Sequence, residues 1–134
     1  MARLIALARE IRADGRTAWD DERVRQQLAQ LAIECEALRL TRLRSLTRRL
    51  RGEPPGAEGS ILKLYGSELG VRIADAAGAM LGMRVLVDAP QDGVPDAPRW
   101  FNRVVSARQY TLAGGTSEIQ RNIIGERVLG LPKG

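Results

Sequence analysis

The stretch 20–51 constrains the fold more than any other, because its apolar residues repeat at helical spacing on more than one side. Val24, Leu28, Leu31, Cys35 and Leu38 advance by four and three, which lays one seam along a helix. Ile33 and Leu40 fall on the opposite side, and Leu43, Leu46 and Leu50 carry the seam round. Asp20 is a good N-cap, and Asp21 and Glu22 put negative charge in the first turn, where the helix dipole favours it. At 1.5 Å per residue such a helix is about 48 Å long. It must bury more than one face, as a central bundle element does, and a subunit interface is one way to cover the second.

The remaining segments read as helices joined by turns. Residues 3–11 form a short first helix with Leu4, Ile5, Leu7 and Ala8 apolar, and Gly15 ends that segment. Gly52-Glu53-Pro54-Pro55-Gly56 cannot continue a helix. A second long helix over 57–81 turns Leu62, Tyr65, Leu69, Ile73, Ala76 and Met80 toward a core. On it Gly66, Gly70, Ala74, Gly78 and Gly82 repeat every four residues. Each interior glycine costs up to about 1 kcal/mol relative to alanine, so close approach of another helix is expected there. Residues 85–97, with Pro90, Asp92, Gly93 and Pro95, read as an exposed loop. A third long helix opens near Trp100 and Phe101, which are read as packing anchors, and ends near Ala113. The fold class expected is all-α, an antiparallel helical bundle of about four helices.

Composition bounds the chemistry. The 134 residues are one domain's worth, and 44% hydrophobic with 28% charged residues is the mix of a globular protein. There is no histidine, which removes the commonest general base and metal ligand, so no metal site is expected. The one cysteine, Cys35, lies on the apolar seam and is read as a buried thiol. No apolar run approaches a membrane span and no signal-peptide core opens the chain, so the cytoplasm is the default expectation. The net charge of +5 raises the question of nucleic acid. Its densest cluster, Arg39, Arg42, Arg44, Arg48, Arg49 and Arg51, splits to nearly opposite sides of the helix instead of forming one phosphate-tracking stripe. Aromatic residues are only 4%, too few for stacking platforms, so nucleic acid is not the expected partner.

The C-terminal segment says most about function. Gly114 and Gly115 break the chain and allow close backbone approach, and Thr116 or Ser117 can cap a new helix. Ser117 and Gln120 have capping-box spacing, and Glu118 falls in the first turn. Ile119, Ile123, Val128 and Leu131 then supply an apolar face with Ile124 beside it, and Gly130 and Pro132 stop the helix. The run from Gly114 through Pro132 resembles the C-terminal signature of the acyl-CoA dehydrogenases. Ser60 to Leu64, Ser67-Glu68 and Arg72 to Asp75 resemble the helix of the same family's third domain, and the likeness covers nearly all of 1–134.

That resemblance implies a C-terminal helical domain of an enzyme that uses FAD to desaturate acyl-CoA thioesters between the alpha and beta carbons. It implies Gly115, Thr116, Ser117 and Glu118 as contacts on the flavin side. Gly114 stands where many members carry the glutamate that takes the alpha proton, and it has no side chain. Other members place the base on the domain's first long helix, of which residues 3–12 resemble only the tail. No catalytic residue is therefore assigned. The family's Gln-x-x-Gly-Gly turn, which contacts the flavin of a neighbouring subunit, corresponds to Ala79-Met80-Leu81-Gly82-Met83. Its Arg-x-x-Phe-Gly contact corresponds to the region from Ile11 to Arg16, with Asp14 at the aromatic position. The expectation is a domain lacking most of its first helix and the two upstream domains, inactive alone and working in a homo- or hetero-oligomer on an acyl-CoA substrate. The alternative is a non-catalytic helical partner that completes another chain's flavin site.

Overall fold

A computed structural model describes residues 1–54, 56 and 58–133. It is helical throughout apart from one minute hairpin, in agreement with the all-α expectation. Helix α1 spans Ala2–Glu10, and strands β1 (Arg12–Ala13) and β2 (Arg16–Thr17) pair antiparallel. After a single 3-10 turn come α2 (Glu22–Leu50), α3 (Glu58–Leu81), α4 (Ala97–Ser106), α5 (Gln109–Leu112) and α6 (Ser117–Arg127). Pro55 and Ala57, which the sequence places in a turn and at a helix start, lie outside the described residues.

The hairpin was not expected. Asp14 and Gly15 both take positive φ, 52° and 78°, the backbone of a tight two-residue hairpin, and Asp-Gly is the pair that favours it. The start of α2 also differs by one residue. Asp21 is the N-cap, accepting from the Arg23 amide at 2.8 Å. Asp20 instead accepts from the amide and hydroxyl of Thr17, and these bonds hold its carboxyl below the usual range. At the other end Gly52, at φ 73°, closes α2. Its amide donates to Arg49 and that of Glu53 to Arg48, which satisfies two terminal carbonyls.

Helix α3 is the hub, contacting α1, α2, α4, α5 and α6. The core gathers Leu4, Leu7 and Ile11, Leu28 and Leu31 of α2, Leu69, Ile73, Ala76, Ala77 and Leu81 of α3, and Trp100 of α4. Trp100 is 4% exposed, as a packing anchor should be. Cys35 is half-buried against this core. The four-residue small-side-chain repeat does not act as one ridge. A β-carbon at Gly66 would lie 3.5 Å from Leu38 and one at Gly78 would lie 3.9 Å from Val104, while Gly70 has open space. Steps of four drift by about 40° each, so the repeat winds from α2 toward α4.

The expected third long helix is broken in two. Inside α4 the Ser106 hydroxyl donates to the Asn102 carbonyl at 2.6 Å, and the Asn102 amide donates to the Pro98 carbonyl. Such back-bonding competes with the helical ladder. The chain then turns through Ala107 and Arg108 into the four residues of α5. Residues 82–86 form a 3-10 turn, so the first two residues of the expected loop are helical and the chain becomes extended at Val87.

Candidate functional site

The turn before α6 is built by two left-handed glycines. Gly114 lies at φ 71° and Gly115 at φ 96°, conformations that residues with a β-carbon rarely adopt. Thr116 is the N-cap, its hydroxyl accepting from the Ile119 amide at 3.4 Å. Gln120, buried at 6% exposure, reaches back and donates from Nε2 to the Gly114 carbonyl at 3.1 Å. The Ser117–Gln120 capping box is therefore not formed. Thr116 caps the helix and Gln120 fastens the turn.

The four expected contact residues do not share one surface. Ser117 is buried, Gly115 and Thr116 are half-buried, and the Glu118 side chain is 78% exposed. The Glu118 carboxylate accepts from its own amide and from the Thr116 hydroxyl, which holds its pKa below the ordinary carboxylate value, with Arg121 and Lys63 adding to the effect. A carboxylate so stabilised is a poor proton acceptor at neutral pH. The apolar face expected on α6 is only partly covered, with Ile123 and Ile124 half-buried. Ile119, Val128 and Leu131 are 50%, 47% and 56% exposed, while Ser117 and Gln120 face the interior.

Beside the turn lies a cleft of about 570 Å³ lined by Gly59, Ser60, Lys63, Gly114, Gln120 and Arg127 among others. Lys63 comes from α3 and Arg127 from the end of α6, so two cations converge on the glycine turn. Sequence reasoning missed both. The signal was the fold-back of α6 onto α3, which spacing within one segment does not reveal. The Lys63 ammonium also donates to the Thr111 carbonyl at 3.4 Å. Opposite Gly114 there is open space, with no atom within 4 Å of where a β-carbon would stand.

The other two motif regions meet at the far end of α3. Arg12 and Arg16 of the hairpin and Met80 line one cleft of about 480 Å³, with Asp20 and Asp21 on its rim. An Arg84 guanidinium nitrogen donates to the Arg12 carbonyl at 3.1 Å, tying the two regions together. From Lys63 to Met80 the helix runs about 26 Å, so this cleft and the glycine turn are separate places. Among the described residues no group of three His, Cys, Asp or Glu side chains could hold a metal, and no helix is long and apolar enough to cross a membrane.

The model of the acyl-CoA dehydrogenase C-terminal domain matches residues 1–129. The chain belongs to the acyl-CoA dehydrogenase family. It is 34% identical over 119 residues to acyl-CoA dehydrogenase IpdE1 of Mycolicibacterium smegmatis, covering 87% of this chain and 27% of that protein. With IpdE1 of Mycobacterium tuberculosis it shares 29% identity over 135 residues, 99% of this chain and 32% of that one. The chain thus spans about a third or less of the curated relatives it matches. Among solved structures it resembles the ChsE4-ChsE5 complex from Mycobacterium tuberculosis, with a TM-score of 0.78, 27% identity and coverage of 99% of this chain and 36% of that one. A structure titled Tcur3481-Tcur3483 steroid ACAD superposes with a TM-score of 0.82 over 99% of this chain and 33% of its own; at 23% identity it bears on the fold alone. This acyl-CoA dehydrogenase domain carries the Gly114-Gly115 turn within the matched residues.

Proposed function

We propose that this chain supplies one wall of a flavin-dependent acyl-CoA dehydrogenase site, in an assembly that desaturates an acyl-CoA thioester between its alpha and beta carbons. The observation that carries the reading is the glycine turn. Its left-handed backbone is fastened by Gln120, is open on the Gly114 side, and leads into a helix capped by Thr116. That combination suits close approach of a flat ring to the main chain, and the fit supports FAD as the cofactor. When bound, FAD would supply the hydride acceptor. This chain's part is to hold Gly115, Thr116, Ser117 and Glu118 along that edge, while Lys63 and Arg127 bring positive charge toward phosphate groups of cofactor or substrate.

The alpha proton has no acceptor at Gly114, and Glu118 is stabilised as a carboxylate, so the base belongs to another part of the assembly. The regions 11–16 and 79–83 lie about 26 Å from Lys63 along α3. The separation is consistent with contact to two different flavins of one oligomer. We take the working compartment to be the cytoplasm.

The test is to purify the assembly through a tag on this chain and, separately, the chain alone. The assembly should carry flavin that bleaches with an acyl-CoA, and the chain alone should be colourless. A colourless assembly would overturn the flavin reading. A yellow isolated chain reduced by an acyl-CoA would overturn the dependence on other parts.

A second reading is favoured by one observation. Leu40, Leu43, Leu46 and Leu50 of α2 are 53%, 46%, 50% and 79% exposed, an apolar surface with no cover among the described residues. On that reading the chain is a non-catalytic helical partner completing another chain's flavin site. Substitution at the glycine turn would then alter flavin content without abolishing assembly.

A further inference from the structure

Of the 21 basic residues 19 are arginine, and the two lysines are Lys63 and Lys133. Lys133 is exposed in the tail after α6, while Lys63 is half-buried on α3 and lines the cleft beside the glycine turn. A guanidinium pairs with phosphate as well as an ammonium does, or better. It does not lose its proton and attack a carbonyl, so Lys63 has a chemical capacity that none of the arginines around it has.

The surroundings leave that amine available. Lys63 makes no ion pair among the described residues, and Glu118 acts on it only from beyond ion-pair distance. Its one hydrogen bond among them, to the Thr111 carbonyl, is long at 3.4 Å. No carboxylate lines the cleft among the described residues, and Glu58 beside it is taken by Arg48. Gly59 and Gly114 both line the cleft, and neither has an atom within 4 Å of where a β-carbon would stand. Ser60, one turn before Lys63, lines the same cleft, and Arg127 brings the second cation from α6.

We propose that Lys63 is a site of covalent acylation by an acyl-CoA thioester held in this cleft. The inference rests on the reading above, in which the thioester lies against the glycine turn. The neutral amine of Lys63 attacks the thioester carbonyl. A C–N bond forms, the C–S bond breaks, and coenzyme A leaves as the thiolate, which takes up the proton shed by the nitrogen. No oxidant or reductant is consumed. Holding amine and thioester in one cleft replaces a bimolecular encounter with a local one, and this makes the reaction selective for Lys63. Arg127 draws the phosphates of the nucleotide, and the Ser60 hydroxyl can donate to the carbonyl oxygen as negative charge builds there. The resulting amide is uncharged, so acylation leaves Arg127 as the one cation among the described lining residues. Thioester that is not turned over would thus close the cleft to the next molecule.

The experiment incubates the full chain with butyryl-CoA or with butyryl-N-acetylcysteamine, a thioester of the same acid without phosphates. Peptide mass spectrometry follows both lysines over time, with Lys133 as the internal control. With butyryl-CoA, Lys63 should gain the acyl group about tenfold or more faster than Lys133, and that advantage should shrink about threefold or more with the short thioester. Arg127→Gln should slow the CoA-dependent labelling of Lys63 about threefold or more and leave Lys133 unchanged, with circular dichroism confirming that the variant keeps its helices. Equal labelling of the two lysines, or no adduct at Lys63, overturns the proposal. So does an advantage of Lys63 that is as large with the short thioester, and so does an unaltered rate in Arg127→Gln. Adducts are read by mass without flavin. A colourless assembly with Lys63 labelled would sink the flavin reading alone, and a yellow assembly that bleaches while Lys63 stays free would sink this one alone.

Discussion

Gln120 donates its side-chain amide to the carbonyl of Gly114, six residues back, so a buried polar group of α6 is spent on the turn that precedes the helix. A β-carbon on Gly115 would sit 2.8 Å from that same amide nitrogen. The glycine and the glutamine therefore form one unit: the first leaves the room that the second occupies.

Gly115→Ala is expected to lower stability by about 1–3 kcal/mol from the left-handed backbone it would have to keep. It also pushes Gln120 off its acceptor. Gln120→Ala should cost about 1–2 kcal/mol by itself. The double variant should lose less than the sum, because the clash and the lost bond are the same event. Urea unfolding of the four proteins measures the coupling. Strict additivity would show that the two residues act independently.

Thr116→Ala removes the cap of α6 and should cost about 1 kcal/mol, with faster amide exchange confined to the first turn of that helix. Thr116→Ser should restore most of it. Hydrogen exchange by mass spectrometry distinguishes this local fraying from global loss.

Glu34 ties α2 to α3. It accepts from Gln30, and the Tyr65 hydroxyl and Arg72 also stabilise its charge, which lowers its pKa from the ordinary 4.5. A depressed carboxyl contributes stability that is fully present above its unfolded value and is lost as pH falls through its folded value. Stability should therefore decline below about pH 4.5, and the decline should be shallower in Glu34→Gln. Thermal melts from neutral to acid pH check the slope. Parallel curves would mean that Glu34 carries no such linkage.

Leu69, 2% exposed at the centre of α3, should cost about 2–5 kcal/mol when cut to alanine. The same change at Leu43, 46% exposed on α2, should shift the isolated chain by no more than about 0.5 kcal/mol. Denaturant midpoints with unchanged slopes would confirm the contrast. A large loss at Leu43 in the lone chain would mean that the exposed leucine surface of α2 is structural.

The long elements were legible because periodicity over many turns accumulates. The seam from Val24 to Leu38 and the row through Leu69 and Ile73 found α2 and α3 with their inward faces, and Leu28, Leu31, Leu69 and Ile73 are buried. Short features carried too little signal. Two-residue strands show no alternation, although Asp14-Gly15 itself was readable as a hairpin turn. The break after Ser106 depends on hydroxyl and amide back-bonding inside α4, which spacing does not encode. The exposed apolar residues of α6 have a different cause. A pattern tells which residues share a face, not what lies opposite it. Ile119 takes the exposed side and Val128 lies past the last helical residue, while Gln120 goes inward to find a backbone acceptor. Lys63 and Arg127 were invisible as a pair because only the folded chain brings them together.

The uncovered leucines of α2 also bear on how much of this chain a cell can hold. A row of apolar side chains left in water is a substrate for chaperones and proteases, and it offers surplus copies a route to aggregation. The level of the soluble chain would then follow the supply of whatever covers α2 rather than its own rate of synthesis. A sound protein with an unimpaired fold could still be scarce for want of a companion.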